Sequence, residues 1–431
     1  QSTPPFSITP YTSFEHSSTS LGEEPMSATD TDGSGQAAAP GEVFRVFLKL
    51  GLTSFGGPIA HLGYFRDELV LRRRWLDEAA YADLVALCQF LPGPASSQVG
   101  FALGLSRGGW LGALLAWAAF TLPSALLLLA FAYGADAFGG PAGQGVLHGL
   151  KLVAVAVVAH AVWGMARGLA PDKERATIAL AGVLIVVLAP TALGQIAAIV
   201  AGALAGLGWC RHLEARPVGH LPFHVSRRLG GVLLVLFASL LLGLPAAVAL
   251  WPAPALELFE AFYRAGALVF GGGHVVLPLL EARVVEPGWV SADAFLAGYG
   301  AAQAIPGPLF TFAAYLGAIA APEPNGVAGA AIALAGIFLP GLLLLVAVLP
   351  FWDALRRHSG ARAAMAGTNA AVVGVLGAAL YDPVWTSAVR APTDFALALA
   401  GFVLLVVWKA PPWLVVALTV AGAVALAPLQ G

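Results

Sequence analysis

Six windows of this chain contain no Asp, Glu, Lys or Arg: residues 108–135, 176–210, 229–256, 294–322, 324–352 and 410–431. Each exceeds the roughly 20 apolar residues that a helix needs to cross a bilayer core, so the chain has to keep them out of water. Composition agrees: 58% of residues are hydrophobic and 11% charged, against roughly a quarter charged in soluble domains, which excludes a water-soluble globule. A transmembrane barrel would alternate apolar and polar positions in segments of roughly 10 residues, and Ala125–Ala132 (ALLLLAFA) does not. The chain reads as an all-α polytopic membrane protein.

About thirteen apolar segments follow residue 41: 43–62, 79–105, 109–135, 144–166, 176–191, 193–210, 230–250, 256–279, 293–319, 327–350, 362–381, 393–409 and 412–428. Residues 1–40 are rich in Ser, Thr, Pro and Gly and lack the basic and apolar runs of a signal peptide, so a disordered tail is expected, with Met26 a candidate start. Basic residues sort by loop parity: fourteen fall on the N-terminal side and six opposite. The positive-inside rule then makes the N-terminus cytoplasmic. Arg66 and Arg72 to Arg74 fall on the wrong side unless 43–62 and 79–105, which carry helix breakers at mid-depth, are re-entrant. The body charge, near +3 once the acidic tail is set aside, is too small and too interrupted for nucleic-acid binding. Two cysteines, Cys88 and Cys210, give neither a disulfide framework nor a Cys-rich metal site.

An internal repeat carries the mechanism. Phe47-Leu-Lys-Leu-Gly51-Leu-Thr-Ser-Phe55-Gly56-Gly57 recurs as Phe262-Tyr-Arg-Ala-Gly266-Ala-Leu-Val-Phe270-Gly271-Gly272, Trp75 as Trp289, and Gln89-Phe-Leu-Pro92-Gly93-Pro94 as Gln303-Ala-Ile-Pro306-Gly307-Pro308. The offset stays at 214–217 through Pro123 and Pro340. Seven apolar segments precede the second copy, and an odd number makes the two repeats, each of about six segments, inverted across the membrane. Inverted repeats with helices broken near the midplane build alternating-access pathways in many secondary transporters. The expected domains are the tail 1–40, a first repeat 41–210, a linker with a connecting helix 211–255, and a second repeat 256–431.

The breaks supply the candidate site. Unwinding at Ser54, Gly56 and Gly57 and at Gly271 and Gly272 frees backbone N–H groups and opens a helix N-terminus that suits an anion; close helix packing is the competing use of these glycines. Pro92-Gly93 and Gly307 cannot continue a helix, and Ser96, Ser97 and Gln98 follow the first break with hydroxyl and amide donors, whereas only Thr311 follows the second. A plain hinge is the alternative. Gln89 and Gln303 precede the breaks with amides that orient a ligand or cap carbonyls. Lys151 is either a substrate counter-charge or an anchor reaching the interface. His61, Arg66, Asp83, Arg107, His160 and His274 are candidates for guiding a dianion or carrying a coupling proton. No GxxxxGK[ST], HExxH or GxSxG pattern occurs, so neither an ATPase of that type nor a membrane enzyme is expected, and no cofactor or metal.

The runs 47–58, 75–78 and 81–100, with Phe270-Gly-Gly-Gly-His274 and Gln303 to Pro308, closely resemble the chromate ion transporter family in its long, two-domain form, over essentially all of 41–428. The resemblance implies a multi-pass protein of the bacterial inner membrane that exports chromate, confers chromate resistance and is driven by the proton gradient, with sulfate as competitor or alternative substrate. The lipid bilayer is its environment, and a homodimer is left open. A sulfate or other oxyanion carrier and a passive anion channel are the rivals.

Overall fold

The computed structural model describes residues 40–55, 57–134, 140–211, 225–270, 273–321 and 323–426. The expected disordered tail and the candidate residues Gly56, Gly271 and Gly272 lie outside the described residues.

All regular structure among the described residues is helical. The first set of helices is α1 (Pro40–Thr53), α2 (Gly57–Phe65), α3 (Glu78–Phe90), α4 (Ala95–Gly134), α5 (Gly140–Leu169), α6 (Lys173–Leu188) and α7 (Ala192–Trp209), and α8 (Arg227–Leu250) follows it. The second set is α9 (Pro254–Ala267), α10 (Val276–Val284), α11 (Ala292–Ala304), α12 (Phe312–Ile319), α13 (Gly326–Val348), α14 (Trp352–Arg357), α15 (Ser359–Ala379), α16 (Thr386–Ala388), α17 (Pro392–Val406) and α18 (Pro412–Leu426). Among the described residues, five stretches are long and apolar enough to cross a membrane: Ala95–Gly134, Gly143–Leu169, Arg227–Leu250, Gly326–Leu355 and Ser359–Ala388.

Four of the thirteen expected segments resolve into two helices around a break: 43–62 into α1 and α2, 79–105 into α3 and the start of α4, 256–279 into α9 and α10, and 293–319 into α11 and α12. The 14 residues of α1 and 9 of α2 make rods of about 21 and 13 Å, so neither alone crosses a core about 30 Å thick. Local chemistry sets the ends. Asp77 caps α3 by accepting from the Ala80 N–H at 2.7 Å, and Ser291, its repeat partner, caps α11 from the Ala294 N–H at 3.2 Å. Leu91 and Ile305 precede prolines and are driven into extended backbone at ψ 151° and 136°. Gly93 and Gly307 then take φ +117° and +108°, which favours glycine.

The repeat persists in the packing. Val43, Val46, Phe47 and Leu50 form the buried stripe of α1, and Leu258, Ala261, Phe262 and Ala265 that of α9, a helical spacing in both. A Cβ on Gly51 would lie 2.8 Å from the Ala119 carbonyl of α4, and one on its counterpart Gly266 would lie 2.2 Å from the Ile337 carbonyl of α13. The last helices of each set cross over. Gly202 and Gly206 of α7 press on Gly367 of α15, while Gly149 of α5 presses on Val420 of α18, the small-residue contact by which membrane helices approach closely.

The turns of the broken pairs lie at opposite ends. Leu69, Val70 and Trp75, in the turn after α2, share a hydrophobic cluster with Leu349 and Trp352 at the start of α14. From there α15 runs 21 residues, about 31 Å, to Asp382. At that far end Asp382 shares a cavity with Glu281 of α10 and Glu286 of the turn after it. Arg283, grouped by loop parity with Arg357, therefore sits at the opposite end from it, because α10 turns back at the break.

Enlarging a residue at a helix crossing tests this packing. A Cβ on Gly206 would sit 2.2 Å from the Ala363 carbonyl, whereas Gly164 has open space. Gly206→Leu should destabilise the protein by about 1–3 kcal/mol or more, seen as a lowered melting midpoint in detergent, and Gly164→Ala should leave it unchanged or slightly higher.

Candidate functional site: four interlocked helix breaks

Two hydrogen bonds draw the breaks together. The Gly93 N–H donates to the Val269 carbonyl at 2.8 Å, and the Gly307 N–H donates to the Ser54 carbonyl at 2.9 Å. Gly93 and Gly307 are repeat partners, as are Ser54 and Val269, so one bond is made twice, each time from one set of helices to the other. The side chains follow the same rule: a Cβ on Gly93 would lie 2.9 Å from Gly341 Cα, and one on Gly307 would lie 2.7 Å from Oγ of Ser124, the repeat partner of Gly341. The Gln98 amide closes the contact, donating to the Pro92 carbonyl at 3.1 Å and the Gly341 carbonyl at 2.8 Å.

Neutral polar groups surround this junction. His61 is fully buried, with Nδ1 3.4 Å from Ser96 Oγ and its ring edge-on to Phe120 at 5.4 Å. Gly57 lies against His274, whose Nδ1 is 2.7 Å from the Tyr299 hydroxyl. Several buried atoms here have no hydrogen-bond partner among the described residues: Ser54 Oγ, His61 Nε2, Ser97 Oγ, Thr121 Oγ1, Trp117 Nε1 and Gln303 Nε2, with Gln98 Oε1. Six of the seven can donate, and a buried polar group left unpaired costs about 1–3 kcal/mol. Each break also opens a new helix, at Gly57, Ala95, Gly273 and Leu309, whose first N–H groups carry partial positive charge. The opposing carbonyl ends are partly quenched, because Ser54, Val269 and Pro92 accept the bonds just described. The arrangement fits an anion that accepts several hydrogen bonds.

Of the expected site residues, Ser54, Gly57, Pro92, Gly93, Ser96, Ser97, Gln98, Gly307, His61 and His274 come together here, and Gln303 ends α11 beside the break. Gln89 is exposed. Lys151 is buried on α5 but pairs with Asp293 at 2.8 Å, twelve residues before the Ile305 break, about 18 Å along the helix. Arg66 is ion-paired with Glu78, and the Arg107 guanidinium lies 5.5 Å over the Trp75 ring, so both belong to the turn rather than the breaks. There Glu68 resists ionisation by its burial, yet Arg73, Lys49 and Arg72 hold its carboxyl down at about 2. Asp83 accepts from the Trp352 indole at 3.2 Å, and His160 lies exposed on α5. Thr121 and Trp117 went unnoticed in the sequence; the signal was a hydroxyl two residues before the repeated Pro123 in a charge-free window.

The sequence profile of the family described as Chromate transporter matches this chain twice, over residues 41–207 and 256–426. The chain belongs to the chromate transporter family. Within it, the chain is 30% identical over 417 residues to the chromate transport protein of Pseudomonas aeruginosa, covering 91% of this chain and 94% of that one. It is 29% identical over 376 residues to the chromate transport protein of Cupriavidus metallidurans, with 85% and 88% covered, and 29% identical over 343 residues to a probable chromate transport protein of Synechococcus elongatus, with 79% and 83% covered. No solved structure matches the chain. A transporter rather than an enzyme is what these relatives are named as, and the several apolar helices fit a multi-pass membrane protein.

The glycine geometry gives a test. Gly93→Ala and Gly307→Ala each force a side chain into left-handed backbone and into the opposing helix, and each should lower chromate flux at least tenfold with membrane protein levels unchanged. Vesicle transport beside a quantitative immunoblot checks this; ordinary flux in both variants would contradict it.

Proposed function

We propose that this protein is a secondary transporter that binds chromate at the four breaks and exports it from the cytoplasm, driven by the proton gradient, and so confers chromate resistance. The observation that carries the reading is the set of buried donors without partners around the interlocked breaks. Chromate is a tetrahedral dianion that offers only acceptors. Its chemistry matches a set of hydroxyl, indole, imidazole and amide donors, and sulfate, of the same shape and charge, is the expected competitor.

The broken pairs act as re-entrant hairpins, α1 with α2 and α3 with the start of α4 from one side, α9 with α10 and α11 with α12 from the other. The repeats, 41–210 and 256–431, are then inverted about the membrane plane, which is the architecture of alternating access. This reading returns Arg66 and Arg72 to Arg74 to the N-terminal side and leaves Arg264, Arg283 and Arg390 opposite, which strengthens the charge bias that makes the N-terminus cytoplasmic in the bacterial inner membrane. Direction follows from charge: a dianion leaving an inside-negative cell gains about 4.6 kcal/mol at 100 mV.

Radiolabelled chromate offered to everted membrane vesicles tests the proposal. Accumulation that a protonophore abolishes and excess sulfate partly inhibits is expected; sulfate accumulation without chromate accumulation would reassign the substrate. Ser54→Ala and Ser97→Ala should each raise the KM for chromate about tenfold, the worth of one hydrogen bond to a charged group.

A further inference from the structure

A cavity of about 240 Å³ opens at the end of α10 away from its break, between the α6–α7 turn, α10 and the end of α15. Glu281, Glu286 and Asp382 line it with Gln195, and Pro190, Pro278 and Pro383 complete much of its wall; among the described residues no Lys, Arg or His does. A cluster of acids in an anion carrier repels the cargo and has to serve something else.

The hydrogen-bond inventory says what. Gln195 is 5% exposed, its amide N–H donates to the Pro278 carbonyl at 3.1 Å, and its Oε1 has no partner among the described residues. Carboxylates accept only, and proline has no N–H. The lining side chains therefore present acceptors facing acceptors, and what is missing is a donor. A carboxyl that takes up a proton becomes that donor. Three carboxylates are available and they differ. Asp382 is exposed, and its Oδ1 already accepts from the Thr386 hydroxyl at 2.9 Å; Glu286 is also exposed, and Glu281 alone is half-buried. Behind the wall, Arg264 and Arg283 line a smaller space on the other side of Gln195, and Arg264 pairs with Glu260.

We infer that Glu281 is the carboxyl that binds and releases the coupling proton of the transport cycle, with Gln195 accepting its O–H. This inference rests on the proton-driven reading above. In the step, the Glu281 carboxylate takes one proton from hydronium at this end and becomes a neutral acid, and it returns that proton to water when the carrier opens to the other solution. Position supports the role. Glu281 and His274 lie seven residues apart across α10, about 10 Å along the helix, so α10 joins the acidic cavity to the central breaks. Neutralising Glu281 removes its repulsion from Glu286 and Asp382 and lets α10 settle toward α15, and the N-terminal end of α10 is itself one wall of the anion site. Burial, with the Glu286 and Asp382 carboxylates nearby, pushes the Glu281 carboxyl, at the end of α10 and outside the crossing helices, up to about 7, where it exchanges protons in the working range of pH.

Purified protein in liposomes separates coupling from transport, because chromate exchange at equal pH needs no net proton while accumulation under a pH gradient does. In Glu281→Gln, exchange should stay within about twofold of the wild type and gradient-driven accumulation should fall at least tenfold; Glu281→Asp should keep both. Glu286→Gln should move the midpoint of the pH profile downward, since a like charge is gone. Glu281→Gln accumulating chromate as the wild type does would overturn the inference, and so would loss of exchange in both Glu281 variants, which would mark a structural role. A wild type that exchanges chromate yet ignores the gradient would overturn the inference and leave the transport reading standing; one that moves no chromate would overturn both.

Discussion

Backbone that leaves the helix inside a bilayer has no water to bond, so every freed N–H and C=O must find a partner within the protein. The pair of bonds from Gly93 to Val269 and from Gly307 to Ser54 is how this chain meets that demand. Neither half can meet it alone, since each donor lies in one repeat and its acceptor in the other. The rest of the architecture follows from that dependence. The glycines that let α1 approach α4 and α9 approach α13 set the hairpins at matching depth, and the exchange of α7 onto α15 and α18 onto α5 clamps the two sets so that the breaks meet.

Those bonds also shape the electrostatics. Helix termini that converge bring positive and negative ends together, and the sum would be small if all were free. Capping the Ser54, Val269 and Pro92 carbonyls from within leaves the N-terminal ends and side-chain donors as the unsatisfied part. The proposed anion site is thus built from neutral groups, and the nearest candidate cations lie away from it in pairs of their own: Lys151 with Asp293, Arg66 with Glu78, Arg107 on Trp75. Neutral donors release a dianion more readily than fixed cations would, which suits the proposed carrier, since it must let go of its cargo on each cycle.

Much of this was legible before any coordinates. The charge-free windows require membrane helices, and the proline and glycine spacing marks each break within a residue or two, because both effects are local to the backbone. The repeat offset paired Ser54 with Val269 and Gly93 with Gly307, but that partners across the two copies would bond one another is a tertiary fact with no local trace. For the same reason the ion pair of Lys151 left both of its readings, counter-charge and interfacial anchor, open in the sequence: its carboxylate lies 142 positions away. Loop parity groups Arg283 with Arg357, whereas α15 sets them at opposite ends, because counting segments assumes that each one crosses. Thr121 and Trp117 escaped notice since a buried hydroxyl or indole on a long apolar helix looks like any other until its missing partner is seen.

The central claim is that the anion sits where the four breaks meet. Chromium carries its own label, so an anomalous difference map from crystals of the protein grown with chromate, collected at the chromium absorption edge, tests it most directly. The account predicts a single peak within hydrogen-bonding reach of Ser54, Ser97 and Gln303, bounded by Gly93 and Gly307. A peak at Lys151 or in the Arg66–Arg74 turn, with the breaks empty, would contradict it.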